Sequence, residues 1–191
     1  LSKSKKNYSF ITEETGKILN KNKDIFWIID PIDGTTNFLH GIPHFAISIA
    51  LEISGEIISG LIFDPIKNEI FYAEKNNGSY INNSRIRVSK KSNLEECLFA
   101  SNSEGIKLIH PELNLRNTGC AALDLAYLGC GRFDGYFHNK INLWDIAAGK
   151  IIVEEAGGKI NIIKGFKSEK LDIRGGNPNI YEKMIKKLAK F

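Results

Sequence analysis

Long apolar runs are missing from this chain. No hydrophobic stretch approaches the roughly 20 residues that cross a bilayer, so no membrane partner is expected. Cysteine is scarce: Cys97, Cys120 and Cys130 form an odd set without a C-x-x-C pair. That argues against a disulfide framework or a zinc site, and for a reducing compartment; a cytoplasmic location is expected. Charge of one sign is not concentrated either. The formal net charge is +4, with Lys and Arg interspersed among Asp and Glu, and only Lys3 to Lys6 and Lys186-Lys187 cluster. This reads as a solvated surface with a slight bias towards anionic ligands, and direct nucleic-acid binding is not expected. Internal repeats, low-complexity tracts and a visible signal peptide are absent, although the first residue is Leu1 rather than Met.

What is present is a globular composition. Of 191 residues, 42% are hydrophobic and 25% charged, enough for one domain or two closely packed halves. Residues 8–101 read as a mostly antiparallel sheet built from consecutive hairpins. Its strands are Tyr8 to Thr12, the Trp27 strand, Phe45 to Ile53, Glu56 to Phe63, Asn68 to Glu74, Gly78 to Ile81 and an edge strand Arg85 to Ser89. Thr15 to Asp24 reads as a loop. Residues 102–191 alternate helix and strand: a strand at Cys97 to Ser101 leads in, and helices follow at Gly119 to Gly131, Asn142 to Ala156 and Pro178 to Phe191. Strands lie at Asp134 to His138, Lys159 to Ile163 and Leu171 to Arg174. The expected class is α+β, with stacked helix and sheet layers.

The chain is organised around Trp27 to Phe38, WIIDPIDGTTNF. Trp27, Ile28 and Ile29 favour a buried strand, which the sequence is expected to end at Asp30-Pro31. Asp30 and Asp33 lie three residues apart on a turn stiffened by Pro31 and loosened by Gly34, so both carboxylates can converge on one point. Thr35, Thr36 and Asn37 open a short helix whose first N–H groups lack intrahelical partners and suit a phosphate oxygen. Hard carboxylate oxygens beside such a helix start match Mg²⁺-assisted phosphate chemistry. D-P-x-D-G is also ordinary turn chemistry, so the motif alone does not decide.

Three further segments join it: Phe10-Ile11-Thr12-Glu13-Glu14-Thr15, Arg116-Asn117-Thr118-Gly119-Cys120-Ala121-Ala122, and Asn142-Leu143-Trp144-Asp145-Ile146-Ala147-Ala148-Gly149. Together with Glu155 to Gly158 (EAGG), their order and spacing resemble the inositol monophosphatase family of Mg²⁺-dependent, Li⁺-sensitive phosphatases. The resemblance runs from about Tyr8 to the C-terminus. It implies the layered α/β sandwich of that family, one domain over residues 1–191, and a homodimer. It also implies hydrolysis of a small phosphorylated substrate, inositol 1-phosphate first, with two or three Mg²⁺ ions. The implied metal ligands are Glu13, Asp30, the Ile32 carbonyl, Asp33 and Asp145. Glu13, Thr35 and Asp33 would be catalytic, with Glu13 and Thr35 orienting the attacking water. Asp33, Gly34, Thr35, Gly119, Cys120, Ala121, His138 and Asp145 would contact substrate. Thr35 and Cys120 are not read as nucleophiles, and Cys120 stands where the family usually has a small hydroxyl residue.

Three departures accompany the resemblance. His138 replaces the Glu that recognises inositol hydroxyls, which leaves histidinol phosphate, a sugar phosphate or a nucleotide phosphate open. Family members carry two helices ahead of the position of Leu1, and a whole helix where this chain has Asn102 to Leu115. A regulatory relative that binds RNA polymerase is the non-enzymatic alternative. His40 and His44 are expected at the surface, Glu14 solvated, and Trp27 and Trp144 in packing roles.

Overall fold

The computed structural model describes residues 7–103, 110–164 and 170–188. Thirteen strands and four helices are found among them. The strands are β1 Tyr8–Thr12, β2 Gly16–Ile18, β3 Asn22–Asp33, β4 Ala46–Ile53, β5 Glu56–Asp64, β6 Glu69–Glu74, β7 Gly78–Ile81, β8 Ser84–Arg85, β9 Leu98–Ala100, β10 Asn114–Arg116, β11 Gly135–Ile141, β12 Lys159–Lys164 and β13 Leu171–Gly176. The helices are α1 Thr35–Leu39, α2 Ala121–Gly129, α3 Leu143–Glu155 and α4 Tyr181–Leu188.

An eight-stranded sheet runs β2-β1-β3-β4-β5-β6-β7-β8 and a five-stranded sheet runs β10-β9-β11-β13-β12. Between them lies the α2–α3 pair. Helix α3 packs on β3 to β7 and on β12, and α2 contacts β4, β5, β11 and β13. A helix that touches a layer on both sides needs apolar residues nearly all round. Every residue of α2 is buried, as are Ile146 to Gly149 and Ile151 to Val153 of α3. A second apolar cluster fills the far face of the smaller sheet, where Phe99 and Phe137 meet Ile180, Met184 and Leu188 around α4. The layered α+β arrangement is therefore the one expected.

Several local expectations change. Residues 15–24 are not a loop: Gly16–Ile18 pairs with β1, and β3 already begins at Asn22. The positive φ of Gly16 (66°) permits the tight reversal between β1 and β2 that the polar composition concealed. The sheet is not made of hairpins alone, because β1 and β3 run parallel. The edge strand shrinks to Ser84–Arg85. Asn114–Arg116, assigned no element from the sequence, adds a parallel strand to β9. Helix α4 starts at Tyr181 rather than Pro178, after an Asn177 turn that accepts from Ile180 and Tyr181 N–H groups. Residues 1–6, 104–109, 165–169 and 189–191 lie outside the described residues, so the expectations for Leu1 to Asn7, for the missing helix between Ser101 and Arg116 and for the end of the last helix fall wholly or partly there.

One glycine sets the spacing between the larger sheet and α3. Gly60 of β5 lies against α3 so closely that a Cβ would stand 2.7 Å from Ile151 Cγ2 and 2.8 Å from the Ala148 carbonyl oxygen. Backbone cannot swing aside as a long side chain can. Gly60→Ala is expected to destabilise the fold by about 1–3 kcal/mol through overpacking, read as a lower denaturation midpoint in urea. An unchanged midpoint would show that the sheet and α3 are not in this contact.

Candidate active site

Strand alternation delivers the first carboxylate. Phe26, Ile28 and Asp30 share the buried face of β3, so the periodicity that buries two hydrophobes also buries an acid. Asp33 follows at an odd spacing and would face the opposite side of a regular strand. It does not, because β3 does not stop at Asp30: it runs on through Asp33 with one extra residue. Asp30 pairs with Ser48 and Asp33 with Ala46, three steps on β3 against two on β4. The bulge at Pro31-Ile32 returns Asp33 to the buried face. Pro31 suits that place, having no N–H for the ladder. This corrects the expected turn: the two acids meet across a bulge, and the chain reverses only at Gly34, which is left-handed at φ 88°.

The third carboxylate comes from α3. Asp145 Oδ2 accepts from the backbone N–H of Asn142 at 3.1 Å and from Asn142 Nδ2 at 3.2 Å, which fixes it at the helix start. Asp30, Asp33 and Asp145 each bring a ligand atom to within 4.8 Å of the others. Glu13, at the end of β1, is exposed and stands outside that trio, within electrostatic reach of Asp30 and Asp145. Four acids therefore face one region, three of them in contact range and one at its rim.

Burial dominates their electrostatics. Asp30 is 1% exposed; desolvation, then the charges of Asp33 and Glu13, push its carboxyl from 3.8 up to about 8. Desolvation raises Asp33 to about 7, opposed by hydrogen bonds from Ala122 N–H and the Cys120 thiol. Burial also raises Asp145. Desolvation leads in all three, and the charge of a neighbouring acid adds to it in each. Hard oxygen donors, packed at this spacing with excess negative charge, fit a divalent cation of the Mg²⁺ type.

The loops around the trio are tied to it. Asp30 Oδ1 accepts from Ile32 N–H at 2.9 Å. The Thr35 hydroxyl donates to the Ile32 carbonyl at 2.9 Å, so the expected carbonyl ligand already carries one hydrogen bond. Gly34 has no room for a side chain: a Cβ would lie 3.1 Å from the His44 carbonyl oxygen and 3.3 Å from Cys120 Cβ. Gly119 is left-handed at φ 81°, and its N–H donates to Asn102 Oδ1 at 3.2 Å. Cys120 is fully buried, with its thiol donating to Asp33 Oδ2 at 3.1 Å, and Ala122 N–H donates to the same oxygen at 2.6 Å. Cys120 and the start of α2, with the buried Ala121 in its first turn, thus support Asp33 from behind rather than presenting the thiol to an open surface.

His138 is half-buried on β11, with Nδ1 3.1 Å from the Tyr136 hydroxyl; burial, then Lys170 and Arg174, lowers its pKa. His44 is half-buried, not a surface residue, and its Nε2 has no partner among the described residues. His40 and Glu14 are exposed, as expected. Asn37 and Ala122 were legible at helix starts but without these contacts, and Asn102, Asp124 and Tyr136 were missed. An acid inside the apolar run Ala121-Ala122-Leu123-Asp124-Leu125-Ala126 was the signal available for one of them.

The chain matches the inositol monophosphatase family over residues 1–190. A protein of Pasteurella multocida named Nus factor SuhB is 42% identical over 173 residues, 84% of this chain and 65% of that protein. An inositol-1-monophosphatase of Caulobacter vibrioides is 39% identical over 178 residues, 85% of this chain and 70% of that protein. The chain thus spans roughly two thirds of the length of these relatives. Among solved structures, extragenic suppressor protein suhB from Bartonella henselae superposes with a TM-score of 0.91 at 40% identity, over 99% of this chain and 78% of that one. Inositol monophosphatase from Anabaena gives 0.87 at 34% identity, over 99% and 81%.

Asp30 and Asp33 hold their protons more tightly folded than unfolded. The stability this confers is complete below the unfolded value near 3.8 and is lost as pH rises through about 7 and 8. The thermal midpoint of chelator-treated protein is expected to fall across that window relative to Asp30→Asn, whose profile should be flatter. A divalent cation should reverse the fall, because it binds the ionised form. Parallel profiles for parent and variant would show that these acids are not buried together.

Proposed function

The chain belongs to the inositol monophosphatase family, and from that membership we propose that it hydrolyses a small phosphate monoester with Mg²⁺, inositol 1-phosphate being the first substrate to test. The observation that carries the proposal is the convergence of buried Asp30 and Asp33 with half-buried Asp145 beside the glycine-led start of α1. We take residues 1–191 as one domain acting as a homodimer in the cytoplasm, with two or three Mg²⁺ held by Glu13, Asp30, the Ile32 carbonyl, Asp33 and Asp145, and inhibited by Li⁺.

When bound there, such ions supply Lewis acidity and a water that ionises near neutral pH. The chain's own groups do the rest. Glu13, the exposed carboxylate at the rim, accepts the proton of the attacking water, and Thr35 helps orient it. The N–H groups of Gly34 and Thr35 hold the phosphoryl oxygens. Attack is in line, and the alkoxide leaves towards the side of Gly119 and His138. Thr35 is not the nucleophile: its hydroxyl donates to the Ile32 carbonyl, which supports a direct transfer to water.

His138 gives the reason to test other esters. A half-buried imidazole held by Tyr136 offers one neutral ring where a carboxylate would accept two sugar hydroxyls, so histidinol phosphate and sugar or nucleotide phosphates remain in the substrate set. The names of the Pasteurella and Escherichia coli relatives, Nus factor SuhB, favour a second, non-enzymatic role in partner binding. The deciding measurement is phosphate release from this set with Mg²⁺ titrated. Asp33→Asn is expected to lower kcat/KM at least about a hundredfold, since it alters a ligand itself rather than a group supporting one. Equal release by parent and variant would remove the enzymatic reading.

A further inference from the structure

Two loops that flank the acidic trio come from distant parts of the chain, and one buried polar bridge joins them. Asn37, 8% exposed, extends Nδ2 from α1 to the His44 carbonyl at 2.8 Å and to the Thr118 carbonyl at 2.9 Å. The fit is close, since a Cβ on Gly119 would stand 3.0 Å from Asn37 Nδ2. Thr118 continues the bridge: its hydroxyl accepts from Cys120 N–H at 3.3 Å and donates to Asp124 Oδ1 at 2.7 Å. Asp124 is fully buried on α2, and its Oδ2 has no hydrogen-bond partner among the described residues.

A buried carboxyl with one oxygen unpaired is costly, and Leu or Ala would serve α2 better as packing. Its only hydrogen-bonded side-chain partner among the described residues is the Thr118 hydroxyl. Downstream of Thr118 the same loop supplies the Cys120 thiol and Ala122 N–H to Asp33 Oδ2. We propose that Asn37, Thr118 and Asp124 are positioning residues: they set residues 118–122, the approach to α2 and its first turn, against residues 30–37 so that Asp33 is held in its ligand orientation. The proposal rests on the phosphatase reading only for its kinetic consequence; its effect on ion binding stands apart.

Each link is directional. Asn37 fixes where the loop lies, through a backbone carbonyl. Asp124 fixes how it is turned, through the one hydroxyl that also receives Cys120 N–H. Removing that hydroxyl frees Cys120 N–H and loosens Asp33 without altering any carboxylate of the trio.

The test is Thr118→Val beside Thr118→Ser, each titrated with Mg²⁺ by calorimetry and assayed for phosphate release. Valine keeps the size and loses the hydroxyl. It is expected to weaken Mg²⁺ binding by about 10- to 100-fold and kcat/KM by a similar factor, and serine to recover most of both. Asp124→Leu removes the acceptor from the other end. It should weaken Mg²⁺ binding by the same factor with the ion-free thermal midpoint held or raised, and it keeps the test decisive if the valine chain fails to fold. Parent-like Mg²⁺ affinity in the valine or leucine chain would overturn the proposal, as would a serine chain as impaired as the valine one. A parent that binds Mg²⁺ yet releases no phosphate would instead remove the phosphatase reading, leaving the bridge to be judged by calorimetry.

Discussion

One extra residue in β3 governs the site. Without the bulge at Pro31-Ile32, Asp30 and Asp33 would lie on opposite faces of the sheet, one in the core and one on the outside. With it, both enter the layer where α2 and α3 begin. The acid from α3 then completes a set of three oxygen donors within 4.8 Å of one another. Every nearby structural choice follows from having to hold these charges in a space otherwise filled by Phe26, Ile28 and Ala46.

Helix starts are the fold's partial answer to that charge. Ala122 N–H, in the first turn of α2, donates to Asp33, and Asn142 N–H, before the first turn of α3, donates to Asp145. Both helices therefore direct their positive ends at the trio, each supplying a fraction of a unit charge. Those fractions do not offset the desolvation that keeps all three carboxyls raised. The same arrangement explains why the helix pair lies between the sheets: the apolar flanks of α2 and α3 bind the layers, and their N-terminal ends are left to face the bulge.

Much of this was legible in the chain, and what was not has identifiable causes. Asp30, Asp33 and Asp145 announced themselves by motif, and the capping role of Asn142 by its spacing to Asp145. The strand through Asp33 was hidden because D-P-x-D-G carries the residues of a turn, and a bulge has no separate composition. Residues 16–18 were hidden because a short edge strand of Gly, Lys and Ile lacks alternation. Asn37, Asn102 and Asp124 act through partners up to 81 positions away in sequence, and no local pattern reports such pairs. The loop of Cys120 was legible by motif, whereas the contact of its thiol with Asp33, 87 positions away, was not.

The two walls of the site are built by different rules. Among the acids, Asp30 and Asp33 are each fixed twice, by strand register and by a hydrogen bond from a loop or helix-start N–H, and Asp145 is fixed by its helix and by Asn142. On the far side, His138 sits near the end of β11, where the register with β13 shifts between His138 and Ile141, and it is oriented by the Tyr136 hydroxyl. A residue at such an irregular strand end can change identity without disturbing the layers, whereas Asp30 or Asp33 cannot change without leaving a buried neighbour unbalanced. The acids are thus held in the packed layer, and His138 stands where the strand pairing becomes irregular.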